Sequence, residues 1–222
     1  MNNKINLLFW SLFLLTSSCS RGQIKSAPEA NAIVDIALGI DQVEIDKLGN
    51  IYILTYDNHI LRYDADLQFK YEYNNSLVGD IVSIDATNPQ KILCFVKDFN
   101  RMIVLDNTLA EINVLDFNTS EFLDITAIAR SNDDRIWIFD PIAQHLIKIN
   151  ALAEPQITSN RLTDINLGVI DPSIIEERSN KVALVDKNVG ILLFDNFGRY
   201  LKLIPEKNID HIQIFGDYIF YA

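Results

Sequence analysis

The stretch GNIYILTYDNHILRYD (residues 49–64) decides the fold, because it returns three more times along the chain. Its counterparts are QKILCFVKDFNRMIVLD at 90–106, DRIWIFDPIAQHLIKIN at 134–150 and NKVALVDKNVGILLFD at 180–195. Each is a turn, an apolar strand, a polar turn, and a second strand that closes on Asp or Asn. The closing residues Asp64, Asp106, Asn150 and Asp195 stand 42, 44 and 45 residues apart. A period in that range, with four short strands per unit, predicts an all-β chain folded as a β-propeller of four-stranded antiparallel blades.

The flanking residues complete each unit. An innermost strand is expected first, at VEID 43–46, VSID 82–85, ITAIA 125–129 and SIIEE 173–177. The second strand is the most apolar, as a strand covered on both faces must be. The third is amphipathic, and the outer strand (FKYEY 69–73, INVLDF 112–117) alternates polar and apolar because one face meets water. HIQIF 211–215 and YIFYA 218–222 begin a fifth unit, giving about four full blades plus a partial fifth. AIVDIAL at 32–38 is the expected closing strand, since propellers remove an exposed edge by pairing the last blade with the other terminus. The propeller domain is therefore assigned to 32–222. No window shows a sustained 3.6-residue period.

The N-terminus reads as a targeting segment. Lys4 precedes an apolar run of 11 residues, Ile5 to Leu15. As a helix that run rises only about 16 Å, roughly half a bilayer core, so a secretory signal fits better than a spanning anchor. Thr16, Ser17 and Ser18 lead directly to Cys19. This arrangement resembles the lipobox of bacterial lipoproteins, whose cysteine becomes the first residue and carries the lipid. Thr16 stands where Leu is usual, as in the relaxed lipoboxes of the Bacteroidota. The expectation is a signal peptide over 1–18, lipid attachment at Cys19 and a flexible tether over 19–31; the alternative is an ordinary cleaved signal with a chance cysteine. Surface-exported lipoproteins of that group often carry acids just after the cysteine. Arg21 and Lys25 stand there instead, so the expected location is the outer membrane, lipid-anchored on its periplasmic side.

Without residues 1–18 the chain carries 18 basic and 30 acidic residues, a net charge of −12. That sign repels phosphate backbones and excludes nucleic acid as a natural partner. It also disfavours electrostatic docking on anionic lipid, which leaves membrane attachment to the acyl chains. Cys94, the other cysteine, lies in the apolar run KILCFV and reads as a small buried hydrophobe.

The units resemble NHL-type repeats, named for Asn-His-Leu at the turn between second and third strands. Asn58-His59-Ile60 and Gln144-His145-Leu146 come close, and Asp46 with Gly49-Asn50-Ile51-Tyr52-Ile53 follows the same pattern. Asn100-Arg101-Met102 keeps one letter, and Val189-Gly190-Ile191 keeps none. The resemblance spans roughly 43–222, in a wider group where six blades are usual. For lipid-anchored propellers of the Bacteroidota it implies a binding or scaffold role.

Two kinds of chemistry follow from these residues. Some NHL-type propellers are lyases that hold zinc with histidines, so His59 and His145 raise a metal-dependent lyase or hydrolase in the tunnel as the alternative function. A catalytic zinc needs three converging protein ligands, and His211 lies outside the shared column, so both histidines are expected to be structural. Glu44, Asp46, Asp85, Glu176 and Glu177 fall on innermost strands, where a carboxylate ring could hold calcium, but strand-end acids mostly serve turns. No catalytic motif is present, and no catalytic residue, metal or cofactor is assigned. Tyr56, His59, Phe99, Arg101 and His145 sit at or beside the turns joining second and third strands, which crowd one face of a propeller. They form the candidate binding face for an envelope protein or peptide partner.

Overall fold

The structure, a computed structural model, describes residues 39–222. The expected signal peptide, Cys19, the tether and the closing strand at 32–38 lie outside the described residues. Within them the chain builds four antiparallel four-stranded blades and a two-stranded hairpin, arranged as a β-propeller.

Blade 1 is β1 (Ile40–Ile45), β2 (Ile51–Thr55), β3 (Ile60–Tyr63) and β4 (Phe69–Tyr73). Blade 2 is β5 (Ser83–Asp85), β6 (Ile92–Val96), β7 (Arg101–Leu105) and β8 (Glu111–Asp116). Blade 3 is β9 (Ile128–Arg130), β10 (Ile136–Asp140), β11 (His145–Ile149) and β12 (Pro155–Thr158). Blade 4 is β13 (Ile174–Arg178), β14 (Lys181–Asp186), β15 (Gly190–Asp195) and β16 (Tyr200–Ile204), and the hairpin is β17 (Ile212–Phe215) with β18 (Tyr218–Tyr221). Two short 3-10 turns, Phe117–Thr119 and Leu162–Ile165, are the helical elements among the described residues.

The two-residue period of each second strand sends alternate side chains into the two clefts beside its blade. Ile92, Cys94 and Val96 of β6 pack against Tyr52 and Leu54 of blade 1, while Leu93 and Phe95 pack against Ile136 and Ile138 of blade 3. Trp137 and Phe139 then face Val182 and Leu184 of blade 4, whose Ala183 and Val185 face Ile214 of the hairpin. This explains why second strands are apolar without interruption: a polar residue at either parity would enter a core. Cys94 is fully buried there, and burial pushes its thiol well above the usual range.

The Asp/Asn column is turn chemistry. Asp64 Oδ1 accepts from the backbone N–H groups of Asp66 and Gln68, at 3.0 and 2.9 Å. Asp106, Asn150 and Asp195 repeat the clip on Thr108 and Ala110, Leu152 and Glu154, and Phe197 and Arg199. Each clip holds a hairpin whose fourth residue is left-handed: Leu67, Leu109, Ala153 and Gly198, with φ of 59°, 61°, 60° and 77°. Only Gly198 adopts that backbone without a Cβ penalty. Leu109 and Ala153 bear it while packing into the inter-blade cores.

Candidate functional site

Antiparallel strands put the β2–β3, β6–β7, β10–β11 and β14–β15 turns on the same side as the loops that lead into the next blade. This side is the upper face; the clipped hairpins form the lower face. The polar residue before the third strand ties the upper face together. Asn58, at φ 64°, donates from Nδ2 to Gly79 O and accepts from Ile81 N, at 2.9 and 2.8 Å. Asn100 makes the same pair with Phe122 O and Ile125 N at 3.0 and 3.1 Å, and Gln144 with both backbone groups of Ile170 at 2.9 Å. The first letter of the repeat is thus a clamp from each of the first three blades onto the segment feeding the next one.

In the fourth unit Val189 replaces the clamp, and crowding empties the next place, which His59, Arg101 and His145 fill in the others. A Cβ at Gly190, whose φ is 125°, would stand 2.3 Å from Ile204 O, so no side chain fits.

His59, Arg101 and His145 occupy equivalent places, and each is held by its own outer strand. His59 Nδ1 lies 2.6 Å from Glu72 Oε1, with Asn74 Nδ2 2.9 Å from its Nε2. Arg101 donates to Asp116 from Nε and Nη2 at 2.9 and 2.8 Å and lies over the Phe99 ring; it holds the Asp116 carboxyl below the usual range. His145 Nδ1 meets Ser159 O at 2.8 Å. The two histidines do not converge, and no metal-holding group of three or more His, Cys, Asp or Glu occurs among the described residues. Tyr56 and Phe99 remain exposed, and the Phe99 ring covers Gly79, whose φ is 88°.

Around them the upper face shows four more uncovered apolar side chains that the sequence did not single out: Leu77, Leu123, Ile142 and Val169, from 53% to 89% exposed. The lower face shows Leu48, Leu152 and Phe197, with Phe215 and Tyr218 flanking the β17–β18 turn. The upper-face set lies on turns and loops of all four blades. An open groove of about 490 Å³ lies elsewhere, between β8 and the β11–β12 turn.

The innermost acids separate into distinct jobs. Asp46 clips Leu48 N and Asn50 N; Asp85 accepts from Arg130 N at 2.7 Å, joining blades 2 and 3; Glu176 accepts from Ile214 N at 3.1 Å, joining blade 4 to the hairpin. Glu177 points away from the axis, into the cleft between blades 3 and 4, where it accepts from Trp137 Nε1 at 2.5 Å and lies 3.8 Å from Lys148 Nζ.

Glu44 differs from all of these, with only the side-chain amide of Gln42 beside it, at 3.0 Å, among the described residues. Burial, then the nearby Asp85 and Glu176 charges, push its carboxyl up to about 7, against the opposing influence of Gln42 and Arg178. A carboxyl raised in the fold favours folding below its ordinary value near 4.5, and that contribution is lost as pH rises through 7. Stability relative to Glu44→Gln should therefore rise by about 2 kcal/mol between pH 7.5 and pH 5, a figure discounted for its partial exposure. Denaturant titrations at the two pH values read this directly; parallel curves for the two proteins would contradict it. Carboxylates held low, such as Asp64 and Asp106, act at more acidic pH and do not overlap.

No family model matches the chain, and no curated protein matches it. Solved structures do match. Virginiamycin B lyase from Staphylococcus aureus superposes with a TM-score of 0.62 at 14% identity, over 86% of this chain and 64% of that one. The extracellular domain of the putative hybrid two-component system BT3049 from B. thetaiotaomicron gives 0.63 at 17% identity, over 86% and 27%. BamB from Moraxella catarrhalis gives 0.52 at 14%, over 83% and 55%. This chain thus spans less than two thirds of those proteins. At such identities the likeness shows the propeller fold alone.

Proposed function

We propose that this chain is a lipid-anchored envelope protein whose propeller holds a protein or peptide partner on its upper face. The observation that carries the proposal is the set of uncovered apolar side chains there, Tyr56, Leu77, Phe99, Leu123, Ile142 and Val169. Aromatic and aliphatic groups on rigid turns supply contact area at low entropic cost. The clamps at Asn58, Asn100 and Gln144 keep those turns fixed to the blades beneath. The likeness to BamB and to the extracellular domain of a two-component system is compatible with a binding scaffold. His59 and His145, each held within its own blade, give the lyase alternative no converging site.

The test is a comparison of two surface variants purified with their partners from native membranes. Combining Tyr56→Ser, Phe99→Ser and Leu123→Ser should cut partner recovery at least tenfold while the protein still unfolds in a single cooperative transition well above the assay temperature. Leu152→Ser with Phe197→Ser, on the lower face, should leave recovery intact. Equal recovery from both variants would refute the assignment. The anchor rests on the lipobox resemblance around Cys19, and Cys19→Ala should release the protein from outer membranes into the soluble fraction. Retention of that variant in membranes would refute lipidation.

A further inference from the structure

Acids clip turns and pair with cations on both faces, as Asp140, Asp186 and Asp116 do on the upper one, but the faces differ in how many are left over. On the lower face Asp46, Asp64, Asp106 and Asp195 clip turns, while Asp133, Asp134 and Asp217 pair with Lys148, Arg130 and Lys181. Asp66 is the lower-face acid whose carboxylate meets no hydrogen-bond or ion-pair partner among the described residues. On the upper face Asp57, Asp80, Asp98, Glu121 and Asp124 are all exposed, and none of their carboxylates meets such a partner among the described residues.

These acids alternate with the apolar groups along the chain. Asp57 follows Tyr56, Asp80 lies three residues after Leu77, Asp98 precedes Phe99, and Leu123 stands between Glu121 and Asp124. Lys97 is the one cation among these turns, and Arg101 is already held by Asp116. A surface of this composition repels acidic partners and leaves its own charges to be met from outside.

We infer that the segment bound on this face is cationic and amphipathic, with Lys or Arg spaced between aromatic or aliphatic anchors. This rests on the assignment of the upper face as the binding face, and it names the partner's chemistry. Apolar side chains of the partner would fill the spaces beside Tyr56, Phe99 and Leu123, and its cations would meet the carboxylates between them.

The experiment pans a random dodecapeptide display library on the full-length chain in detergent. The expected result is enrichment of peptides carrying several Lys or Arg together with Leu, Phe or Trp. Binding of the enriched peptides should weaken at least tenfold when salt rises from 50 to 500 mM. It should weaken similarly in the combined variant Asp57→Asn, Asp80→Asn, Asp98→Asn and Asp124→Asn, whose thermal stability should match the parent because those carboxylates hold nothing. Asp66→Asn with Phe197→Ser should change neither. Uncharged or acidic peptides that still lose binding in the Tyr56→Ser, Phe99→Ser, Leu123→Ser variant would overturn the cationic assignment and leave the face standing. No enrichment, or peptides indifferent to every upper-face change, would overturn both.

Discussion

Lys148→Met should be among the most damaging single substitutions in the chain, lowering stability by about 3–5 kcal/mol. Lys148 and Glu177 are almost fully buried between blades 3 and 4, with the ammonium 4.6 Å from the Trp137 ring centre and 3.3 Å from Asp133. Glu177 also takes hydrogen bonds from Trp137 and from Asn132 Nδ2, at 2.5 and 3.1 Å. Removing the cation strands a carboxylate in a cleft of Val182, Leu184 and Phe194. Adding Glu177→Gln keeps an acceptor for Trp137 and removes the stranded charge, so the double variant should recover more than half the loss. Calorimetry would read a fall of roughly 10 °C for the single variant. A fall of under 2 °C, or no recovery in the double, would show that the pair does not hold these blades together.

Asn100→Ala should cost about 3–5 kcal/mol by a different route. It leaves Phe122 O and Ile125 N, both in the core between blades 2 and 3, without partners. It also puts an alanine at φ 49°. Asn100→Gly removes the same two bonds and relieves the backbone, so it should be milder by about 1 kcal/mol. Asn58→Ala should cost less, because Asn58 is only partly buried. Equal costs for Asn100→Ala and Asn58→Ala would contradict the burial difference on which this ordering depends.

The two residues also mark where sequence was informative. Strand identity and order were legible because each blade needs an uninterrupted apolar second strand and a clipped hairpin after the third, and both leave local patterns. The outer strand at 69–73 coincides with β4, and 112–117 falls one residue from β8. The innermost strand of blade 3 was less legible. Ile125 and Ala127 are buried core residues, which gives 125–129 an apolar look, but regular pairing is confined to Ile128–Arg130 because Asn100 holds Ile125 N.

Side-chain contacts across the clefts between blades left no local trace. Trp137 and Glu177 are forty residues apart, and a lysine between apolar neighbours in β11 looks like an ordinary amphipathic position. The same reason hides two other cations between blades, the half-buried Arg62 reaching Asn107 O and the buried Arg130 reaching Lys91 O. The candidate face was partly legible. Tyr56 and Phe99 stand out as aromatics in polar turns, whereas Arg101, His59 and His145 share the turn but are held by their own outer strands. Leu77, Leu123 and Val169 escaped notice because loops into the next blade have no fixed length, so their place on the face comes only with the fold.

The most direct measurement of the central claim, that partners are held by the upper face, is photo-crosslinking in cells from single positions. A photoreactive residue at Tyr56, Phe99 or Ile142 should yield adducts of one defined mass, while the same residue at Leu48, Leu152 or Phe197 should yield none. Adducts confined to the second set, or spread equally over both, would contradict it.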